Sequence, residues 1–151
     1  MNLPQGSLGE GSINWRAASF AGAAYSLSVF AIAFVLGAIR VTQIVPRLGA
    51  LTGVVLEAPF VLSVSWLVSR SCIRRLRVGR DAGSCLWMGA VAFACLMVLE
   101  VGLSVLAFGE TLEHYFAKFH TTAGVVGLIM QVVFACIPWL QSRWHAGAWS
   151  R

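Results

Sequence analysis

Two glutamates lie within stretches that carry no other charge, and they are the residues most able to do chemistry. Glu57 is the only charged residue in 48–69, and Glu100 is the only one in 82–109. An ionisable side chain inside an apolar membrane segment is energetically expensive, and it marks an ion or proton pathway by default. We therefore take these two carboxylates as the starting point of a candidate site.

Other polar side chains lie within reach of the two glutamates. At 1.5 Å per residue, both carboxylates sit about 13 Å below the same membrane surface. Arg40 lies at the predicted end of the first apolar stretch, and an arginine side chain extends far along a helix. The predicted intramembrane polar cluster comprises Arg40, Glu57, Glu100 and Gln131, with Gln43 and Arg47 as secondary candidates.

The sequence leaves three interpretations of this cluster open. Arg40 could neutralise Glu57 or Glu100 as a structural ion pair, since pairing is expected of charges inside a membrane. The two carboxylates could instead form a proton or ion site. In the third interpretation one glutamate is protonated and faces another protomer. Pro59 adds a detail, because a proline frees the carbonyl four residues earlier.

A second group of candidates lies in the segment 109–120. His114 and His120 are secondary candidates for a membrane enzyme, but no His-x3-His or HExxH spacing is present. The four cysteines are scattered without a CxxC pair. We predict no metal site, no cofactor and no catalytic residue.

These residues must be positioned by membrane helices. The chain has 151 residues, of which 58% are hydrophobic and 11% charged, and its mean hydropathy is +0.79. About 20 apolar residues span a bilayer as a helix. The sequence predicts an all-α polytopic membrane protein, an antiparallel four-helix transmembrane bundle. Its predicted parts are a disordered tail 1–14, a transmembrane domain 15–144 with spans at about 17–40, 48–70, 84–108 and 120–140, and a C-terminal tail 145–151.

The arginines predict the orientation and the lipid partner. The arginines in the loop between spans two and three attract anionic lipid headgroups. The positive-inside rule places this loop in the cytoplasm, and with four spans both termini lie on the same side as the loop. The net charge of +5 follows from this topology, and we predict no nucleic-acid partner. The arginines of this loop are Arg70, Arg74, Arg75, Arg77 and Arg80.

Small residues at helical spacing predict where the spans pack against one another. Membrane helices approach closely through glycine, and each stretch carries one or more on its packing stripe. Pro46 is expected to end the first span. The predicted connections between consecutive spans have about nine, thirteen and eleven residues. The stripe glycines include Gly22, Gly53, Gly89, Gly124 and Gly127.

Four short sequences resemble small four-span proteins of bacterial inner membranes. They are GAIRV from Gly37, PRLG from Pro46, LEAP from Leu56 and the pair Ser65-Trp66. The resemblance covers most of the chain and implies a bacterial inner-membrane location, and it brings no activity or ligand. Small multidrug-resistance transporters carry their carboxylate in the first span, which here has none. The membrane glutathione-transferase class has an asparagine near the glutamate of its second span, whereas Asn2 and Asn14, the two asparagines here, both lie in the tail. Vitamin K epoxide reductase-like proteins require a CxxC, which is absent.

Three functional hypotheses follow from the sequence. The first is a structural or assembly component that packs with itself or with another membrane protein in the bilayer. The second is an oligomeric proton- or ion-coupled small permease that uses Glu57 and Glu100. The third, a membrane enzyme, depends on His114 or His120 lying over a pocket.

Overall fold

The computed structural model describes residues 14–79 and 81–146, with side chains as far as Trp144. Residues 1–13, Arg80 and residues 147–151 lie outside this part, and so do most of both predicted tails. Over the described ranges the chain is helical and contains no strand. Four helices are long and apolar enough to cross a membrane, which confirms an all-α multi-pass membrane protein. These four spans are Trp15–Leu48, Ala50–Arg75, Ala82–Ala107 and Thr122–Trp144.

The first span is longer than the sequence predicts, and Pro46 does not end it. An α-helix over Trp15–Ile39 continues through a π-helical turn, Arg40–Ile44, into a last turn, Val45–Leu48. The π-helical turn ends two residues before Pro46. Pro46 has no N–H to donate, and the altered hydrogen bonding before it lets the helix continue past the proline. Arg40 consequently lies eight residues inside the span, about 12 Å from its end, instead of at its end.

The connections between spans differ in length from the predicted ones. Gly49 alone separates the first span from the second, instead of about nine residues. Its φ of 81° and ψ of 164° fit glycine and almost no other residue, because in this conformation a Cβ would clash with the adjacent backbone. The third span runs as an α-helix over Ala82–Gly102 and a π-helical turn over Leu103–Ala107. A short helix at Leu112–Ala117 and a 3-10 turn at Lys118–His120 follow it.

The spans contact one another in the order one, three, four, two and back to one. Trp15 and Trp87, each near the start of its span, pack edge to face at 5.0 Å between ring centroids. The first and third spans therefore run in the same direction. The second and third spans, consecutive in sequence, lie across from each other with little contact.

The two ends of the molecule differ in composition and packing. We call the end that carries Arg70, Arg74, Arg75 and Arg77, all exposed, the arginine end, and the other the opposite end. Among the buried hydrophobic side chains of the described chain, Tyr115 alone lies at the opposite end. The half of the spans nearest the arginine end thus holds the core.

Close backbone contacts hold that core together. A Cβ on Gly22 would lie 2.6 Å from the carbonyl oxygen of Met88, and one on Gly89 would lie 2.0 Å from that of Ala135. Real side chains do not tolerate such distances, so these two glycines let spans one, three and four touch through their backbones. Gln141 joins the fourth span to the second by donating to the Trp66 carbonyl at 2.7 Å.

Candidate functional site

A cavity of about 810 Å³ lies between the four spans in the half nearest the opposite end. The short helix and turn after the third span contribute to its wall. Most of the lining is apolar, and pockets for small molecules are typically apolar with a few polar groups that orient the ligand. Its charged and larger polar residues are Arg40, Glu57, Glu100, Tyr115, Lys118 and Gln131.

Arg40 and Glu57 form an ion pair on one wall of the cavity. Nε of Arg40 lies 2.6 Å from Oε2 of Glu57, although the Nε–H does not point at a hydrogen-bond acceptor. Gly53 makes this contact possible, since a Cβ there would lie 2.9 Å from Cγ of Arg40. The aliphatic part of the Arg40 side chain therefore packs against Gly53. Its guanidinium group pairs with Glu57, one helical turn further along the second span. The pair keeps Arg40 and Glu57 compatible with a membrane interior.

Glu100 has different partners on the facing wall. Its two carboxylate oxygens accept hydrogen bonds from Nε2 of Gln131 at 2.8 and 2.6 Å, and Oε2 also accepts from the Tyr115 hydroxyl at 3.3 Å. Among the described residues no cation lies within 4.0 Å of this carboxylate. Glu100 thus accepts hydrogen bonds from two neutral donors, and no described cation is in direct contact with it.

Tyr115 reaches Glu100 from the short helix Leu112–Ala117. The Thr111 side chain accepts from the backbone N–H of His114 and begins that helix, which turns Tyr115 inward until only 6% of it is exposed. Burial, together with the neighbouring negative charge of Glu100, raises the pKa of the Tyr115 hydroxyl to about 12. Tyr115 therefore keeps its proton and acts as a hydrogen-bond donor at neutral pH.

An aromatic pair lies at the floor of the cavity, where Phe134 of the lining packs against buried Tyr25. Tyr25 and Phe134 stack with ring centroids 4.4 Å apart, and the Tyr25 hydroxyl donates to the Phe134 carbonyl at 3.1 Å. Pro138 has no N–H, so it leaves the carbonyl four residues earlier, that of Phe134, without its helical donor. The hydroxyl of the first span takes the place of that donor and joins the first span to the fourth.

Lys118 also lines the cavity, and it is paired with the carboxylate of Glu110. Nζ of Lys118 lies 2.7 Å from Oε1 of Glu110. This hydrogen bond holds the pKa of Glu110 below its usual range. Gly124 brings the start of the fourth span against the same turn, since a Cβ there would lie 2.0 Å from the Lys118 carbonyl oxygen.

The secondary candidates lie away from the cavity. Gln43, Arg47, His114 and His120 are exposed, and none of them lines its wall. No three His, Cys, Asp or Glu side chains in the described part of the chain come together as metal ligands. Val55, whose carbonyl Pro59 frees, is also absent from the lining.

Two functional residues escaped the sequence analysis. The sequence does not single out Tyr115, whose position eight residues beyond the third span gives no sign that it folds back onto Glu100. Gly53 was recognised as a packing residue, but its role in seating Arg40 was not. The spacing of Gly53 and Glu57, one helical turn apart, was the available signal.

Comparison with protein-family models, with curated proteins and with solved structures finds no match to this chain.

Proposed function

We propose that this multi-pass membrane protein binds a lipid-soluble small molecule, with a polar group, in the cavity between its spans. The observation that carries the proposal is the cavity itself, whose volume lies within the usual range for ligand sites. Its apolar lining suits the body of such a molecule. The polar residues of its lining suit the polar group of such a molecule.

Glycines along the cavity support this function. A Cβ on Gly37 or on Gly127 would meet nothing within 4 Å, and both residues line the cavity. Elsewhere in the spans Gly22 and Gly89 serve close helix contact, so the first two glycines have a different use. They keep space open at the level of the polar residues.

The test fills the cavity and asks which small molecules purify with the protein. Gly127→Leu places a side chain in the cavity, whereas Gly102→Leu is the matched control, because Gly102 also has no neighbour within 4 Å but does not line the cavity. The full chain is purified from native membranes in mild detergent and extracted with organic solvent. Mass spectrometry then compares the three extracts.

We expect a small molecule that accompanies the wild-type protein and Gly102→Leu and is depleted from Gly127→Leu. Equal small-molecule content in all three preparations would contradict the proposal. All three proteins should elute alike in size-exclusion chromatography, since a Cβ at position 102 or 127 has no neighbour within 4 Å.

A proton- or ion-coupled permease is a second candidate function. The observation that favours it is that Glu57 and Glu100 line the same cavity. Proteoliposomes loaded with a pH-sensitive dye provide the test. Glu57→Gln and Glu100→Gln should each reduce proton flux relative to Glu113→Gln, a change at an exposed carboxylate; unchanged flux in both would exclude coupling through them.

An assembly role comes third among the proposals. The ion pair between Arg40 and Glu57 suits such a role, whereas Glu100 has other partners and a cavity lies between the spans. Association with itself or with another membrane protein is tested by mass photometry of native extracts. A single mass equal to one chain would count against it.

We also propose that the spans form a four-helix bundle in a bacterial inner membrane with both termini in the cytoplasm. The support is the exposed arginines at the arginine end and the tryptophans beside them, as the positive-inside rule and an aromatic belt require. Single cysteines introduced at Ser71 and at Glu113, in a variant without the native cysteines, should react with an impermeant maleimide from opposite sides.

A further inference from the structure

The charges around the cavity do not balance. Arg40 is paired with Glu57, and Lys118 is paired with Glu110. Glu100 is the remaining charged group of the lining, and its partners are the neutral donors of Gln131 and Tyr115. Because Lys118 is paired with Glu110, which lies outside the lining, Glu100 is the one charged residue of the lining without an oppositely charged partner within 4.0 Å in the described part of the chain.

The hydrogen bonds at Glu100 fit a carboxylate. Both of its oxygens accept from the Gln131 amide, and one also accepts from Tyr115. These donors orient the side chain and do not cancel its charge. A charge in the membrane interior requires compensation, and the described residues provide none within 4.0 Å.

Aromatic rings line the same cavity as this carboxylate. Phe30 and Phe34 of the first span and Phe119 beside Tyr115 all line the cavity, and the Tyr115 and Phe119 centroids are 5.4 Å apart. The face of an aromatic ring attracts a cation and also packs against apolar groups. The wall therefore suits a ligand that is both positively charged and apolar.

We propose that the cavity takes an organic cation with an apolar body, and that Glu100 is its counter-ion. This inference rests on the proposed ligand-binding function and adds the charge of the ligand to it. Gln131 and Tyr115 are positioning residues that hold the carboxylate toward the cavity. The apolar walls accommodate the rest of the molecule.

Two ions of the same size and opposite charge test the inference. The full chain is reconstituted in nanodiscs, and binding of tetraphenylphosphonium and of tetraphenylborate is measured above empty nanodiscs of the same lipid. The variants are Glu100→Gln, which removes the charge, and Glu100→Asp, which keeps it. Glu113→Gln, at an exposed carboxylate outside the cavity, is the matched control.

We expect saturable binding of tetraphenylphosphonium to the wild-type protein and weaker or no binding of tetraphenylborate. Glu100→Gln should weaken phosphonium binding about tenfold or more, because it removes one partner of a desolvated charge pair. The affinity of Glu100→Asp and of Glu113→Gln for tetraphenylphosphonium should stay within a few-fold of wild type. Binding by Glu100→Asp shows that the site still folds when residue 100 is substituted.

Three results would overturn the inference. They are phosphonium binding that is unchanged in Glu100→Gln, preferential binding of the borate, and no binding of either ion. If Gly127→Leu nevertheless loses its co-purifying molecule while Gly102→Leu keeps it, the ligand-binding function stands and only the charge assignment is wrong. If that difference is absent as well, both proposals fail.

Discussion

The two halves of the membrane domain use the same kinds of residue in opposite ways. In the half nearest the arginine end, Gly22 and Gly89 allow one backbone to touch another, and no space remains for a Cβ. In the other half, Gly53 and Gly124 also make close contacts, but Gly37 and Gly127 face open space on the cavity wall. Glycine content alone therefore does not distinguish a packing seam from a cavity wall.

Polar groups divide in the same way. Towards the arginine end, buried Ser69 and Gln141 satisfy each other and the backbone in a closed interior. Around the cavity, Arg40 and Glu57 pair while Glu100 keeps only neutral donors. In the closed half the polar groups join helices, and in the open half charged groups line the cavity.

The largest expected effect is on the ion pair of the open half. Arg40→Met leaves Glu57 without its partner and should lower the free energy of unfolding by about 3 kcal/mol, the low end for a broken buried pair, since both side chains are partly exposed. Arg40→Met with Glu57→Leu should recover most of this loss. Denaturant unfolding in detergent measures it, with Arg47→Met, at an exposed arginine of the same span, as the control. A loss equal in Arg47→Met would show that the pair contributes nothing specific.

A pair of alanine substitutions compares the two halves directly. Gly89→Ala forces a methyl group against the Ala135 carbonyl and should cost about 1–3 kcal/mol. Gly127→Ala meets nothing and should be neutral or stabilising by up to about 1 kcal/mol, because alanine favours the helix. Thermal unfolding of both variants decides the matter. Changes of the same sign and size would contradict the difference between the halves.

The floor between the halves depends on one hydroxyl. Tyr25→Phe leaves the Phe134 carbonyl without a donor and should cost about 1–2 kcal/mol, the penalty of an unsatisfied buried acceptor. In a Pro138→Ala background the helix regains the N–H that this carbonyl lacks, so the same substitution should cost much less. A double-mutant cycle from unfolding curves measures the coupling. No coupling would mean that the proline and the tyrosine act independently.

The smallest expected effect compares carboxylates at the two ends. Asp81 begins the third span by accepting from the Ser84 N–H at 2.7 Å, and this hydrogen bond lowers the pKa of Asp81 from its ordinary value of 3.8. Asp81→Ala should cost about 1 kcal/mol, and Asp81→Asn should keep most of the cap. Glu110→Gln, at the exposed pair of the opposite end, should have no measurable effect on unfolding.

The sign of the pH dependence follows from the lowered pKa. The folded state holds the charged form of Asp81 more firmly than the unfolded state does. Its contribution is therefore complete above pH 3.8 and is lost as the pH falls through the lower folded value. The difference in unfolding free energy between wild type and Asp81→Ala should shrink in that range. A difference that stays constant at acidic pH would rule out the charge as its cause.

The sequence by itself determined the four membrane helices and the residues that could form a polar site. Long runs without charge must form helices in a bilayer, because only a helix satisfies its own backbone there. Helical spacing placed Glu57 four residues after Gly53 on one stripe, and Glu100 and Gln131 on the packing stripes of their own spans. Glu57, Glu100 and Gln131 all line the cavity.

Only the tertiary structure decided which of these residues pair. Arg40 could have reached either glutamate, and the choice depends on which spans are neighbours, which no local pattern records. The π-helical turn before Pro46 moved Arg40 about 12 Å into the span, and the seat at Gly53 then directed it to Glu57. Tyr115 reached Glu100 through the fold of a connecting segment. Such contacts between distant parts of the chain arise from packing, and the cavity is the space that this packing leaves.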